Sequence, residues 1–213
     1  MKLLNIFYTF LVVFIHPTFG QKFVHDPTSS KCVHFVAESI TSTSDMEESC
    51  TNFEACSYMK YHGKAYKLPG SAKENFETLV TLSPTKIWDN HSHFEFVFDP
   101  LQNQFITPAG ELPTLAVGQV YFLDLTILKL MTIPVAFKIV ELDRENLVLS
   151  FSYIKNNKSN GVQRVSFRDK DGATEVFHET RFESTSKLRD AVMYRPFHTL
   201  LLNDFYKRFK MKI

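Results

Sequence analysis

Residues 147–183 read LVLSFSYIKNNKSNGVQRVSFRDKDGATEVFHETRFE, and the period of this stretch decides the fold. Leu147, Leu149, Phe151 and Tyr153 fall on one side of an extended chain, opposite Ser150 and Ser152. In 174–183, Val176, His178, Thr180 and Phe182 face one way, while Glu175, Glu179, Arg181 and Glu183 face the other. Alternation at period two predicts strands with one covered face and one wet face. The connectors Asn156-Asn157-Lys158-Ser159-Asn160-Gly161 and Asp169-Lys170-Asp171-Gly172 are short and rich in turn formers. They predict antiparallel hairpins, because parallel strands need longer crossovers.

Outward from there, further strands are expected at 93–98, 117–125 and 135–142, the last joined to 147–154 through Asp143-Arg144-Glu145-Asn146. On 93–98, period two puts Phe94, Phe96 and Phe98 on the covered face. Upstream, Ser71-Ala72-Lys73-Glu74 has the pattern of a capping box and predicts a short helix through Phe76, Leu79 and Val80, ended near Pro84. Downstream, Ser184-Thr185-Ser186 can cap a short helix at 187–192, and Pro196 suits the first turn of a second, longer one. In that helix Phe197, Leu201, Phe205 and Phe209, joined by Leu200, form an apolar stripe; Lys207, Arg208, Lys210 and Lys212 read as its solvated end. The expected architecture is α+β: a curved antiparallel sheet gripping a long C-terminal helix, with an irregular N-terminal segment. Its divisions are 1–20, 21–64 and 65–213. Within the irregular part, 32–36 reads as a strand, and 39–52, rich in Ser, Thr and acid, as a solvated or mobile segment.

The 213 residues carry 24 Lys+Arg and 23 Asp+Glu, a balance that argues against a nucleic-acid binder, which needs a basic excess or stripe. With 21 Phe, 8 Tyr and 1 Trp, the chain is suited to a core or cavity walled by aromatic rings. Residues 1–20 read as a secretory signal peptide: Lys2, an apolar run over 3–15, then Pro17-Thr18-Phe19-Gly20 before a cleavage point at Gln21. The run is too short to span a bilayer. The mature protein is therefore expected to be secreted or periplasmic, without stable membrane insertion. In an oxidising compartment Cys50 and Cys56 can close a short loop, although Cys32 could pair with either; the thiol left over is expected to be free and buried.

The chain from about Ala65 onward resembles the START/Bet v 1-type (SRPBCC) superfamily of helix-grip proteins, and within it an uncharacterised plant and bacterial branch. The resemblance rests on Phe94-Glu95-Phe96-Val97-Phe98-Asp99-Pro100, on Asp169-Lys170-Asp171-Gly172 followed by Glu175-Val176-Phe177-His178-Glu179, on Phe182-Glu183-Ser184-Thr185-Ser186, and on Tyr194-Arg195-Pro196-Phe197. It implies a cavity between sheet and helix that holds an apolar small molecule, or in some relatives a cyclase- or hydrolase-like site. It transfers no catalytic residue.

Phe137, Phe151, Tyr153, His178 and Phe182 are the candidate ligand-binding residues, set against plain core packing. His178 lies on the covered face and reads first as a satisfied core group, then as a polar anchor, and last as an acid or base. Tyr121 is a further hydroxyl. His91, His93 and Glu95 would share a strand face, but the opposite face holds the phenylalanines, so they read as a surface ladder and no metal is expected. No nucleophile elbow, phosphate loop or zinc-protease motif occurs, and no cofactor is expected. Three functions follow: a carrier or sensor of an apolar molecule, an enzyme using His178 and Tyr153, or a protein-interaction module built on the acidic N-terminal segment.

Overall fold

The structure, a computed structural model, describes residues 22–23, 30–88, 90–127 and 131–213. The expected signal peptide at 1–20 lies outside the described residues. In chain order the elements are β1 (Lys22–Phe23), α1 (Lys31–Ser39), β2 (Lys60–Leu68), α2 (Ala72–Thr81), β3 (Ser92–Asp99), β4 (Gln104–Ile106), β5 (Val120–Ile127), β6 (Met131–Asp143), β7 (Val148–Tyr153), β8 (Ser159–Lys170), β9 (Ala173–Ser184) and α3 (Tyr194–Lys210). The strands form one sheet in the order β1-β4-β3-β5-β6-β7-β8-β9-β2. Every pairing is antiparallel except the two-residue contact of β1 with β4. With α3 packed on its inner face, this is the helix-grip α+β architecture.

Local chemistry explains the hairpins. Asp171 and Gly172, at φ of 52° and 73°, make a two-residue turn between the paired Lys170 and Ala173, the left-handed geometry that a twisted hairpin favours. In the β6–β7 turn the Asp143 carboxylate accepts from the backbone N–H of Glu145 and of Asn146, both at 2.9 Å. The box at the start of α2 forms as its sequence predicts, with Ser71 capping Glu74 and Glu74 reaching back. Asp169 on β8 accepts from Ala72 N–H at 2.8 Å and ties that helix to the sheet.

The N-terminal segment departs most from expectation. Residues 32–36 are not a strand but the body of α1: Ser30 caps Val33, and Cys32, Val36 and Ile40 recur every four residues as a buried stripe. A mostly apolar run of this length does not distinguish a strand from a helical turn; the cap and the spacing do. Asp124 of β5 accepts from Lys31 N–H at 3.0 Å and holds the helix start on the sheet. Residues 39–52 are likewise pinned: the Asp45 carboxylate accepts from Thr41 and Ser42 N–H, Met46 is buried, and Glu47 and Glu48 pair with Lys155 and Lys138. Cys50 and Cys56 are joined by a disulfide, and Cys32 is a free, buried thiol. The boundary expected at 64/65 falls inside β2, which pairs with β9 from Lys60↔Phe182 to Leu68↔Thr174.

Consequently the outer sheet face is covered around β3–β6, whereas on β8 and β9 it stays wet, with Arg168 and Lys170 paired to Glu175 at the surface. The pairing of β3 with β5 shifts register between Phe94 and Phe96. Past that bulge Phe96 and Phe98 point outward and pack with Phe105, Val120 and Phe122 beneath α1, while Phe94 and Val97 belong to the inner core. The expectation that Phe94, Phe96 and Phe98 share one face fails for this reason. Ser150 and Ser152 are buried too. Ser152 Oγ donates to Gly161 O at 2.9 Å and accepts from Cys50 N–H at 3.1 Å, so its polarity is satisfied beneath the N-terminal cover.

At the other end, the helix expected at 187–192 is continuous with α3 through a π-helical turn, Arg189–Met193. Pro196 has no N–H to return to the preceding turn, and the widened turn sits there. The buried stripe of α3 is His198, Leu202, Tyr206 and Phe209; Leu200 is exposed. Counting only apolar residues rotates the expected stripe, because two of the buried positions are a histidine and a tyrosine. Among the described residues no helix is long and apolar enough to cross a membrane.

Phe96→Ala should cost about 3–5 kcal/mol in urea unfolding, the price of an emptied aromatic site in a packed core. A loss under about 1 kcal/mol would show that α1 does not seal this face.

Candidate functional site

Between the inner sheet face and α3 lies a cleft of about 110 Å3. Its floor is built by the strands: Tyr121 and Leu123 from β5, Phe137 and Ile139 from β6, Leu149 from β7 and Val165 from β8. Leu201, Leu202 and Phe205 of α3 form the roof, and Leu79, Leu82, Ile87 and Trp88 close one side. The Trp88 ring lies 5.9 Å from that of Phe205. A volume of this size takes a single ring or the end of a chain; the pockets of drug-sized ligands start at about 300 Å3.

Of the candidate residues, Phe137, Phe151, Tyr153 and His178 line this cleft together. Phe137 packs between Phe151, at 5.4 Å, and Tyr153, at 4.7 Å. Phe182 does not line it. Fully buried behind the wall, Phe182 stacks on Tyr194 at 3.6 Å between ring centres. Tyr194 in turn meets the Tyr153 hydroxyl at 2.9 Å and stacks on His198. The Tyr121 hydroxyl donates to Gln119 Oε1 at 3.0 Å.

A polar cluster sits at the inner end of the cleft. His178 Nε2 lies 2.8 Å from Gln163 Oε1, and His178 Nδ1 lies 3.1 Å from the Tyr206 hydroxyl. His198 Nε2 reaches the same Gln163 oxygen at 3.2 Å. An amide oxygen only accepts, so both Nε2 atoms donate and Tyr206 donates to His178 Nδ1. Burial drives His178 down to about 3, with the charge on His62 adding to the effect. Burial also lowers His198 well below its ordinary value, aided by His178 and His62, and lifts the Tyr206 hydroxyl. With both ring nitrogens engaged and its basicity suppressed, His178 is poorly suited to act as a general base near neutral pH.

Sequence patterning alone does not single out Gln163, His198 or Tyr206. Gln163 stands in a largely polar strand, two residues before Val165 on the inward face, and its neighbours across the sheet are Phe151 and Thr180. On the outer side, His93 is exposed and its Nε2 lies 3.9 Å from Glu95 Oε1 at the bulge. Among the described residues no group of three or more His, Cys, Asp or Glu could hold a metal ion. The Cys32 thiol is pushed up by burial and by Asp124, which keeps it protonated and inert.

No protein-family model matches the chain. No curated protein matches it in sequence either. Solved structures do share its fold. Ginseng major latex-like protein 151 from Panax ginseng superposes with a TM-score of 0.54 at 12% identity, covering 72% of this chain and 97% of that one. A protein of Thermus thermophilus gives 0.51 at 12% identity over 72% and 99% of the two chains. The KanY protein gives 0.52 at 9% identity over 72% and 97%. These structures share the helix-grip fold of this chain, the fold that the resemblance implied.

The buried imidazoles set a pH dependence. Both stay neutral in the folded protein, whereas in the unfolded chain each takes up a proton below its ordinary value of 6.5. Their contribution is therefore complete above that value and is lost as pH falls, for His178 over the window from 6.5 to about 3. Glu95, pushed up by burial and by Asp124, opposes the trend in part. Lowering the pH from about 7.5 to about 5.5 should reduce the urea-unfolding free energy by roughly 2–3 kcal/mol. A flat profile over that interval would mean the rings are hydrated.

Proposed function

We propose that this protein is a secreted carrier or sensor, not an enzyme, of an apolar small molecule held between the sheet and α3. The observation that carries the proposal is the lining of the cleft: aliphatic and aromatic walls, with polar groups gathered at one end and bonded mostly to one another. Such a surface gains free energy by excluding water from an apolar ligand, at about 25 cal/mol for each Å2 buried. It offers little for bond making, since His178 is already bonded at both nitrogens and sealed from water. The helix-grip fold supports the same reading, because it sets a long helix against a curved sheet with room between them. Secretion is supported by the apolar run at 3–15 with its Pro17-Thr18-Phe19-Gly20 ending. The Cys50–Cys56 disulfide points to an oxidising compartment as well.

Trp88 is the only tryptophan and lines the cleft, so its fluorescence reports occupancy. Titration with toluene should give a saturable shift of its emission. Val165→Phe, which fills the floor at a cost of about 1–3 kcal/mol in stability, should weaken that response at least tenfold. Unsaturable, equal responses in the two proteins would count against the cleft as a binding site.

A further inference from the structure

The tripeptide Asn-x-Ser, with x other than Pro, occurs twice, as Asn90-His91-Ser92 and as Asn157-Lys158-Ser159. In a secreted protein it is the acceptor pattern for an N-linked sugar. The fold treats the two asparagines differently. Asn90 is exposed in a bend before β3, where its Nδ2 donates to Asp204 Oδ1 of α3 at 3.1 Å. An amide nitrogen carries two hydrogens, and this single bond needs only one of them. Asn157 is half-buried and pairs both ends of its amide with one residue of β6. Its Oδ1 accepts from Ala136 N–H at 3.2 Å, and its Nδ2 donates to Ala136 O at 2.6 Å. A two-bond pair of this kind uses the hydrogen on the same side as Oδ1. A substituted amide is planar and trans, which puts the sugar on that same side. A sugar at Asn157 would therefore take the place of the pairing hydrogen and meet β6.

We propose that Asn90 carries an N-linked oligosaccharide and that Asn157 does not. The proposal rests on the secretion proposed above, through a eukaryotic pathway whose donor is a lipid-linked oligosaccharyl diphosphate. The Nδ2 lone pair forms a bond to the anomeric carbon of the first sugar, and one Nδ2 proton is released. The bond from that carbon to the diphosphate oxygen breaks, and the lipid diphosphate leaves with the electron pair. The sugar stands beside the cleft, since Trp88 and Ser92 line it and Asp204 adjoins Phe205 of its roof.

The test takes mature protein isolated from its own host and treats it with a peptide-N-glycosidase in heavy-oxygen water. That enzyme turns a sugar-bearing asparagine into labelled aspartate, which peptide mapping locates. The expected result is a chain that begins at Gln21, loses one glycan from its intact mass, and gains the label at position 90 but not at 157. Asn90→Gln and Ser92→Ala should each abolish that loss, whereas Ser92→Thr, which keeps the hydroxyl of the pattern, should preserve it. A chain that begins at Gln21 but has no label at position 90, or has it at 157, would overturn the inference and leave the secretion reading intact. A chain that retains residues 1–20 and bears no sugar would overturn the secretion reading, and the inference with it. The map of the unaltered protein decides the matter even if a variant does not fold.

Discussion

Phe96, Phe98 and Phe122 project from one face of the sheet, while Phe94, Tyr121 and Phe137 project from the other, so both faces must be kept from water. Each buried aromatic contributes about 1.5–3 kcal/mol only while that cover holds. The bulge between Phe94 and Phe96 creates this demand, because it turns Phe96 outward where simple alternation would turn it inward. The N-terminal segment answers it. α1 lies on the outer face through Cys32, Val36 and Ile40, and its start is fixed to β5 by the bond from Lys31 N–H to Asp124. α2 and α3 cover the inner face.

With the outer face densely packed beneath α1, the inner face can be left less than full. An unfilled gap of about 110 Å3 in a protein core costs on the order of 2–3 kcal/mol. A few aromatic rings buried beneath α1 offset that amount. The polar cluster of His178, Gln163, His198 and Tyr206 fits the same division. Its members fix one another inside the core. The cleft lining includes no Lys, Arg, Asp or Glu and so offers no counter-charge to an ionised group.

Much of the fold was legible because it is written in local chemistry. The turns Asp143–Asn146 and Asp171-Gly172, the box Ser71–Glu74 and the alternation of β9 each have a physical meaning within a few residues. What escaped was non-local. A bulge leaves no mark in Phe94–Phe98, whose residues alternate as though the strand were regular. α1 was obscured because its buried apolar residues recur only three times. The stripe of α3 was misplaced by one position, because two of its buried residues are polar: His198 Nε2 bonds to Gln163 and the Tyr206 hydroxyl to His178, residues of the distant strands β8 and β9. For the same reason the sequence pointed to His178, Phe137, Phe151 and Tyr153 on the cleft wall but included Phe182, which stacks behind it on Tyr194. Polar residues in a core can be recognised only once their partners are in place.

Native mass spectrometry of the mature protein isolated from its own host, followed by organic extraction of whatever it carries, tests the carrier reading most directly. The predicted result is a stoichiometric adduct that releases an apolar, uncharged molecule. A clean apo mass, together with no uptake of apolar alcohols, phenols or hydrocarbons when these are added, would contradict it.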